Sequence, residues 1–140
     1  MPTDESCIFC RIVRGSLPAY RVHEDAHTLV FMDINPVTDG HTLVVTKEHY
    51  ANVYEATSEA LQAVAASAKR VSDALRAVLH PEGLMVFQLN GSAAGQTVFH
   101  YHMHLMPRRA GEPVALHTRV AGDPARLQAL AEQLAAALPR

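Results

Sequence analysis

The chain has no tryptophan, only two cysteines, and no apolar run near the roughly 18 residues that a membrane span requires. Each shortage excludes something. Two cysteines cannot build a disulfide framework, which points to a reducing, cytoplasmic setting. Met1–Ser6 is polar and carries Asp4 and Glu5, so it does not read as a signal peptide. The net charge of −2 gives no basic field for a long nucleic acid, and no local basic patch replaces it. Neither a nucleic acid nor a membrane is therefore an expected partner. What remains is ordinary for one compact domain: 140 residues, 49% apolar and 19% charged. The abundant chemical residue is histidine, with nine copies.

Ile8–Val13 mixes apolar and basic residues at helical spacing and stops at Gly15, which predicts a short helix. Ala19–Glu24 and Thr28–Asp33 read as strands joined by a polar turn, and His41–Lys47 reads as a third after a loop marked by Asn35-Pro36 and Asp39-Gly40. From Ser58 to Leu79, Leu61, Val64, Ala68, Val71, Leu75 and Val78 recur at intervals of three and four, the period of a long helix. Thr57 or Ser58 can cap its start, and Pro81 with Gly83 ends it. Leu84–Leu89 and Val98–Met106 read as two further strands. Asp123-Pro124 then opens a C-terminal helix carrying Leu127, Leu130, Leu134 and Leu138. The strands are grouped, not alternated with helices, so the expected fold is α+β with a five-stranded antiparallel sheet. A single domain over 1–140 is expected, with no internal repeat or linker.

The densest chemistry is His100-Tyr101-His102-Met103-His104. On a strand this pattern places three histidines on one side and Phe99, Tyr101, Met103 and Leu105 on the other, toward the core. A solvated face rich in histidine is one explanation, and a catalytic metal held by His-x-His is a sharper one. The preceding loop, Asn90 to Thr97, is small and glycine-containing, so its backbone N–H groups can approach an anion. It has neither the lysine of a P-loop nor the glycine spacing of a dinucleotide fingerprint. Cys7-x-x-Cys10 has three readings on its own: metal ligands, a redox pair, or two buried thiols. Asp33 before Asn35-Pro36 suits a turn cap as well as a sugar-binding carboxylate.

The run His100–Met106 matches His-φ-His-φ-His-φ-φ, where φ is apolar, and so resembles the signature of the histidine triad family of nucleotide hydrolases and transferases. Cys7–Cys10, Phe31–Pro36, Gly40–Val45 and Asn90–Thr97 extend the likeness, which spans most of residues 7–107 and leaves 108–140 as a tail and helix without a matching motif. It is nearest to small bacterial members with an N-terminal C-x-x-C.

The resemblance implies that His102 attacks the α-phosphorus of a nucleotide and forms a nucleotidyl-histidine intermediate, which water hydrolyses. A neutral imidazole suits that step. It further implies that His104 lies against the phosphate with His41 beside it, and that no metal is needed in the chemical step. Gln96, Thr97, Asn90 and the backbone of Gly95 to Val98 would contact phosphate, ribose or leaving group. Asp33 would take the ribose hydroxyls, and Ile8, Phe9, Phe31 and Ile34 would flank the base. In the C-x-x-C members a structural zinc is completed by two histidines, here His49 and His100. If His100 belongs to such a closed site, no coordination position stays open for a metal-activated water.

The expected activity is hydrolysis of purine nucleoside 5′-phosphoramidates or related AMP conjugates, with an AMP- or GMP-like product. Hydrolysis of diadenosine polyphosphates and nucleotide-binding regulation with incidental catalysis are the alternatives. The resemblance also implies a homodimer through the long helix and a sheet edge, with residues 108–122 near the partner's active site. His23, His27, His80 and His117 carry no assigned role.

Overall fold

A computed structural model describes residues 4–113 and 120–139. His117 lies outside the described residues. The element order is α1 (Ile8–Arg14), β1 (Arg21–Glu24), β2 (Thr28–Met32), β3 (Thr42–Thr46), α2 (Ser58–Leu79), β4 (Gly83–Phe87), β5 (His102–Arg108) and α3 (Pro124–Ala137), with a 3₁₀ turn at Ser92–Ala94. The five strands form one antiparallel sheet in the order β1-β2-β3-β5-β4. This is the expected α+β architecture. Among the described residues no helix is long and apolar enough to cross a membrane.

Local chemistry sets the element ends. Thr57 caps α2 by accepting from the Ala60 N–H at 3.1 Å, and His80 stops the helix in the left-handed region at φ 48°. Gly15, at φ 83°, ends α1, and Asp123 caps α3 just before Pro124. Gly40 turns the chain into β3 at φ 91°, and a Cβ there would overlap the Leu79 side chain at the end of α2.

Both sheet faces are covered, and the alternation of side chains divides them into two cores. Val30, Met32, Val44 and Leu105 face α2 and α3, packing on Val64, Val71, Leu75, Leu127 and Leu134. The apolar stripe of α2 is thus used within the monomer. Leu29, Phe31, Leu43 and Val45 face the opposite way, against Phe9 and Ile12 of α1. β5 sits between β3 and β4, with His102 opposite Val45 and His104 between Leu43 and Phe87. An interior strand of the sheet therefore delivers two histidines onto the α1 face.

The strand ends differ from the expected ones by up to four residues, and one difference changes the reading of the histidine run. β5 begins at His102, not Val98. The chain bends through Val98–His100, so Phe99 is not a core residue but is 47% exposed. The three histidines consequently do not form one row along a strand.

A polar link ties the β1–β2 turn to α2 across this core. Asp25 Oδ1 accepts from the N–H groups of His27 and Thr28, both at 2.8 Å, and Ser67 Oγ donates to Asp25 Oδ2 at 3.1 Å. Because Ser67 spends its proton on a carboxylate, Thr28 Oγ1 donates to Ser67 Oγ, at 2.7 Å. Burial alone would raise the Asp25 pKa, but these donors outweigh it and hold the carboxyl at about 2. The folded value lies below the unfolded one, so its contribution is present above pH ~4 and is lost as pH falls toward ~2. Asp25→Ala should destabilise the protein by about 1 kcal/mol at pH 7, after allowance for the partial exposure of the carboxylate. Urea melts of both proteins at pH 7 and pH 2.5 check this, the difference narrowing at the lower pH.

Candidate active site

His102 is fixed by its own neighbour. Its Nδ1 lies 2.6 Å from the His100 carbonyl oxygen, which can only accept, so Nδ1 carries the proton and Nε2 carries the lone pair. Burial lowers the His102 pKa, while the bond to His100 pulls the other way. The net shift is downward, which favours the neutral, nucleophilic ring. Phe9 meets the ring edge-on at 5.0 Å and His104 tilts against it at 4.9 Å.

A chain of donors orients the remaining two histidines. The Val37 N–H donates to His41 Nδ1 at 3.1 Å, which leaves the His41 proton on Nε2. That nitrogen is 2.9 Å from His104 Nδ1, so His104 accepts there and keeps its own proton on Nε2. His104 also stacks on Phe87 at 4.5 Å with an interplanar angle of 8°. Asp33, His41 and His104 gather closely enough to resemble a cation site, with Asp33 Oδ2 3.6 Å from His41 Nε2. The Val37 hydrogen bond opposes that use: a metal on His41 Nε2 would need either its loss or an imidazolate.

These rings line a cleft of about 430 Å³ between α1 and the sheet. Ten predicted site residues border it: Ile8, Phe9, Phe31, Asp33, Ile34, His41, Thr97, Val98, His102 and His104. The backbone N–H groups of Thr97 and Val98 have no acceptor among the described residues and lie on this border. Asn90, Gly95 and Gln96 do not border it. Asn90 Oδ1 accepts from Val53 N at 2.7 Å, tying the end of β4 to the segment before α2. Gln96 is buried; its Oε1 accepts from Gly91 N at 2.7 Å and its Nε2 donates to Ala51 O at 2.6 Å. Both amides shape the loop that carries Thr97 and Val98. Leu17, Val37 and Leu43 also line the cleft and were not anticipated from sequence. Leu43 could have been found by counting two residues from His41 along β3, whereas Val37 shows no signal beyond its loop.

His100 turns away from the cleft. Its Nε2–H donates to Thr46 O at 2.6 Å, so Nδ1 is the unprotonated nitrogen and points at sulfur, 3.3 Å from Cys7 Sγ and 3.5 Å from Cys10 Sγ. His49 Nδ1 is 3.4 Å from Cys10 Sγ, and all four ligand atoms lie within 4.8 Å of one another. Tetrahedral zinc, with bonds of roughly 2.0–2.3 Å, places its ligands about 3.3–3.8 Å apart, so this donor set fits. Asp4 Oδ2, 3.9 Å from His49 Nε2, supplies an outer carboxylate. Burial pushes the Cys10 thiol up to about 11 and the His100 pKa down to about 4. Among the described residues, no cluster of three metal-binding groups includes His102. The two histidines of His100-x-His102 therefore lie in different groupings, one with the cysteines and one on the cleft, unlike a metal held by His-x-His.

Comparison with known proteins identifies the family. The HIT domain model matches residues 14–111, well over half of the chain. The chain belongs to the HIT family. Cys7 and Cys10 precede the matched span, and α3 follows it. Among its HIT relatives, the Bacillus subtilis protein Hit is 48% identical over 74% of this chain and 72% of its own. The Arabidopsis thaliana adenylylsulfatase HINT3 is 34% identical over 74% of this chain and 52% of that protein. A crystal structure of a zinc-bound histidine triad protein from Mycobacterium smegmatis superposes with a TM-score of 0.84 at 40% identity, covering 94% of this chain and 92% of that one.

The tautomers give a direct test of the site. Nitrogen-15 spectra of the imidazoles at pH 7 should show His102 protonated on Nδ1 and both His41 and His104 protonated on Nε2. An Nε2-protonated His102 would overturn this assignment.

Proposed function

We propose that the protein is a hydrolase of purine nucleoside 5′-phosphoramidates or related AMP conjugates, acting through a nucleotidyl-His102 intermediate. The observation that carries this reading is the 2.6 Å bond from His102 Nδ1 to the His100 carbonyl, which leaves Nε2 as a lone-pair nitrogen on a cleft bordered by two unpaired backbone N–H groups. In the first step a bond forms between Nε2 and the α-phosphorus as the bond to the leaving group breaks; that group takes the bonding pair and a proton from solvent, which the attacking water returns in the second step. Water then displaces His102 and releases the nucleoside monophosphate. The Thr97 and Val98 N–H groups and His104 Nε2–H are donors for the charge that develops on the phosphoryl oxygens. Asp33 takes the ribose hydroxyls, and Ile8, Phe9, Phe31 and Ile34 hold the base in an apolar slot. Asn90, Gly95 and Gln96 set the loop from which the phosphate is held.

The likeness to an adenylylsulfatase supports an adenylyl group as the transferred part. Hydrolysis of diadenosine polyphosphates, which differs from this reaction only in the leaving group, is the second substrate class. Cys7, Cys10, His49 and His100 would hold a structural zinc, and the zinc-bound relative supports that identity. The metal's contribution is to cross-link α1 to the segments before α2 and β5; the chemical step needs none. Thiols kept as ligands suit a reducing cytoplasm. The open edge of β4, where Val86 is 50% exposed, suits pairing with a second copy in a homodimer.

His102→Ala should lower kcat on an adenosine 5′-phosphoramidate by at least about 1,000-fold while AMP affinity stays within about threefold. Undiminished turnover in that variant would sink the mechanism. Since His102 must be neutral to attack and its pKa is lowered, the acidic limb of kcat should fall below the ordinary histidine value of about 6.5. A limb above that value contradicts the assignment. Cys10→Ser should reduce bound zinc and lower stability by several kcal/mol, measured by metal content and denaturant melts.

A further inference from the structure

The loop between β2 and β3 carries much of the nucleoside wall, yet it is short of apolar anchors of its own. It is closed by hydrogen bonds: Asn35 N to Asp33 Oδ1 at 2.9 Å, Asp33 N to His41 O at 3.0 Å and His41 N to Thr38 O at 3.1 Å. These fix its shape but not its position over the cleft. Contacts from the far end of the chain supply the position. The Gly122 N–H donates to Ile34 O at 2.8 Å. The Gly122 Cα sits so close to Pro36 that an added Cβ would lie 3.0 Å from the ring and 3.2 Å from Leu127. Four residues on, the Arg126 guanidinium forks onto Asp39, with Nη2 2.6 Å from Oδ2 and Nε 3.1 Å from Oδ1. Behind them α3 is anchored by buried Leu127, Leu130 and Leu134 against α2 and the sheet.

We infer that Gly122 and Arg126 are positioning residues for the chain's own nucleotide cleft: α3 acts as a fixed post, and they pin the Asp33–Gly40 loop to it. This rests on the nucleotide reading of the cleft. The mechanical line is continuous. Gly122 holds Ile34 and Pro36, the next residue Val37 holds His41 through its N–H, and His41 holds His104. Gly122 has an ordinary backbone conformation, so a larger residue there acts by contact with Pro36 and not through strain. The pinning is intramolecular, so this part of the C-terminal segment serves its own protomer.

The test is Gly122→Val in the full-length zinc-loaded protein. The expected result is a KM for adenosine 5′-phosphoramidate raised about tenfold with kcat within about threefold. Amide exchange at Asn35 and Val37 should quicken by about tenfold while that of Val71 in α2 is unchanged. Arg126→Asp should raise KM about threefold, and Asp39→Arg added to it should restore the wild-type value. Val64→Ala, which opens a cavity on the buried face of α2 and leaves α3 and the loop untouched, should lower Tm and leave both readouts alone. Unchanged loop exchange in Gly122→Val overturns the inference, as does reproduction of its effects by Val64→Ala. A wild type that turns over no nucleotide substrate overturns the functional reading instead, and the exchange rates still decide whether the loop is pinned.

Discussion

His100 is held from three directions, and the site depends on its not moving. Its Nε2–H is spent on the Thr46 carbonyl, its Nδ1 faces two sulfurs, and its own carbonyl receives the proton of His102. One residue thereby links β3, the cluster with Cys7, Cys10 and His49, and His102. The bend at Val98–His100 makes this possible. Were β5 to begin four residues earlier, the His100 ring would share a face with His102 and its carbonyl would point along the sheet. The irregular backbone forgoes ladder hydrogen bonds, and the Thr97 and Val98 N–H groups, with no acceptor among the described residues, belong to residues that border the cleft.

The second core is small because it shares its face with the cleft. Leu29, Phe31, Leu43 and Val45 are covered by a helix of seven residues, too short to be stable alone. α1 therefore owes its place to tertiary contacts, among them the Cys7 and Cys10 sulfurs at its start and Phe9, which meets Phe31 edge-on at 5.5 Å. The same ring touches both His100 and His102. Packing of α1, shape of the cleft and placement of the His102 ring are consequently one problem with one solution.

The elements were legible in the sequence where periodicity was long or capping residues were present. Ser58–Leu79 and the Asp123-Pro124 start read true because six apolar positions and a capping pair encode them locally. The start of β5 did not, since Val98-Phe99 has strong strand character and only a tertiary requirement, the turning of His100 toward the cysteines, breaks it. The grouping of Cys7, Cys10, His49 and His100 could be anticipated from family likeness alone, as no local pattern links positions over 90 apart in the chain. The tautomers of His41 and His104 were out of reach, because they hang on the N–H of Val37, a donor that every residue but proline possesses.

The strand order has a consequence for how the molecule is made. β5 is the last strand in the chain but lies inside the sheet, with β3 on one side and β4 on the other. As the chain emerges from synthesis, β3 keeps an open edge and β4 has no partner until residues 102–108 arrive to close the gap. The strand that completes the hydrogen-bonded sheet is the strand that carries His102 and His104. An incompletely folded chain therefore lacks its histidine-lined cleft as surely as it lacks its core, and the two appear together with the finished fold.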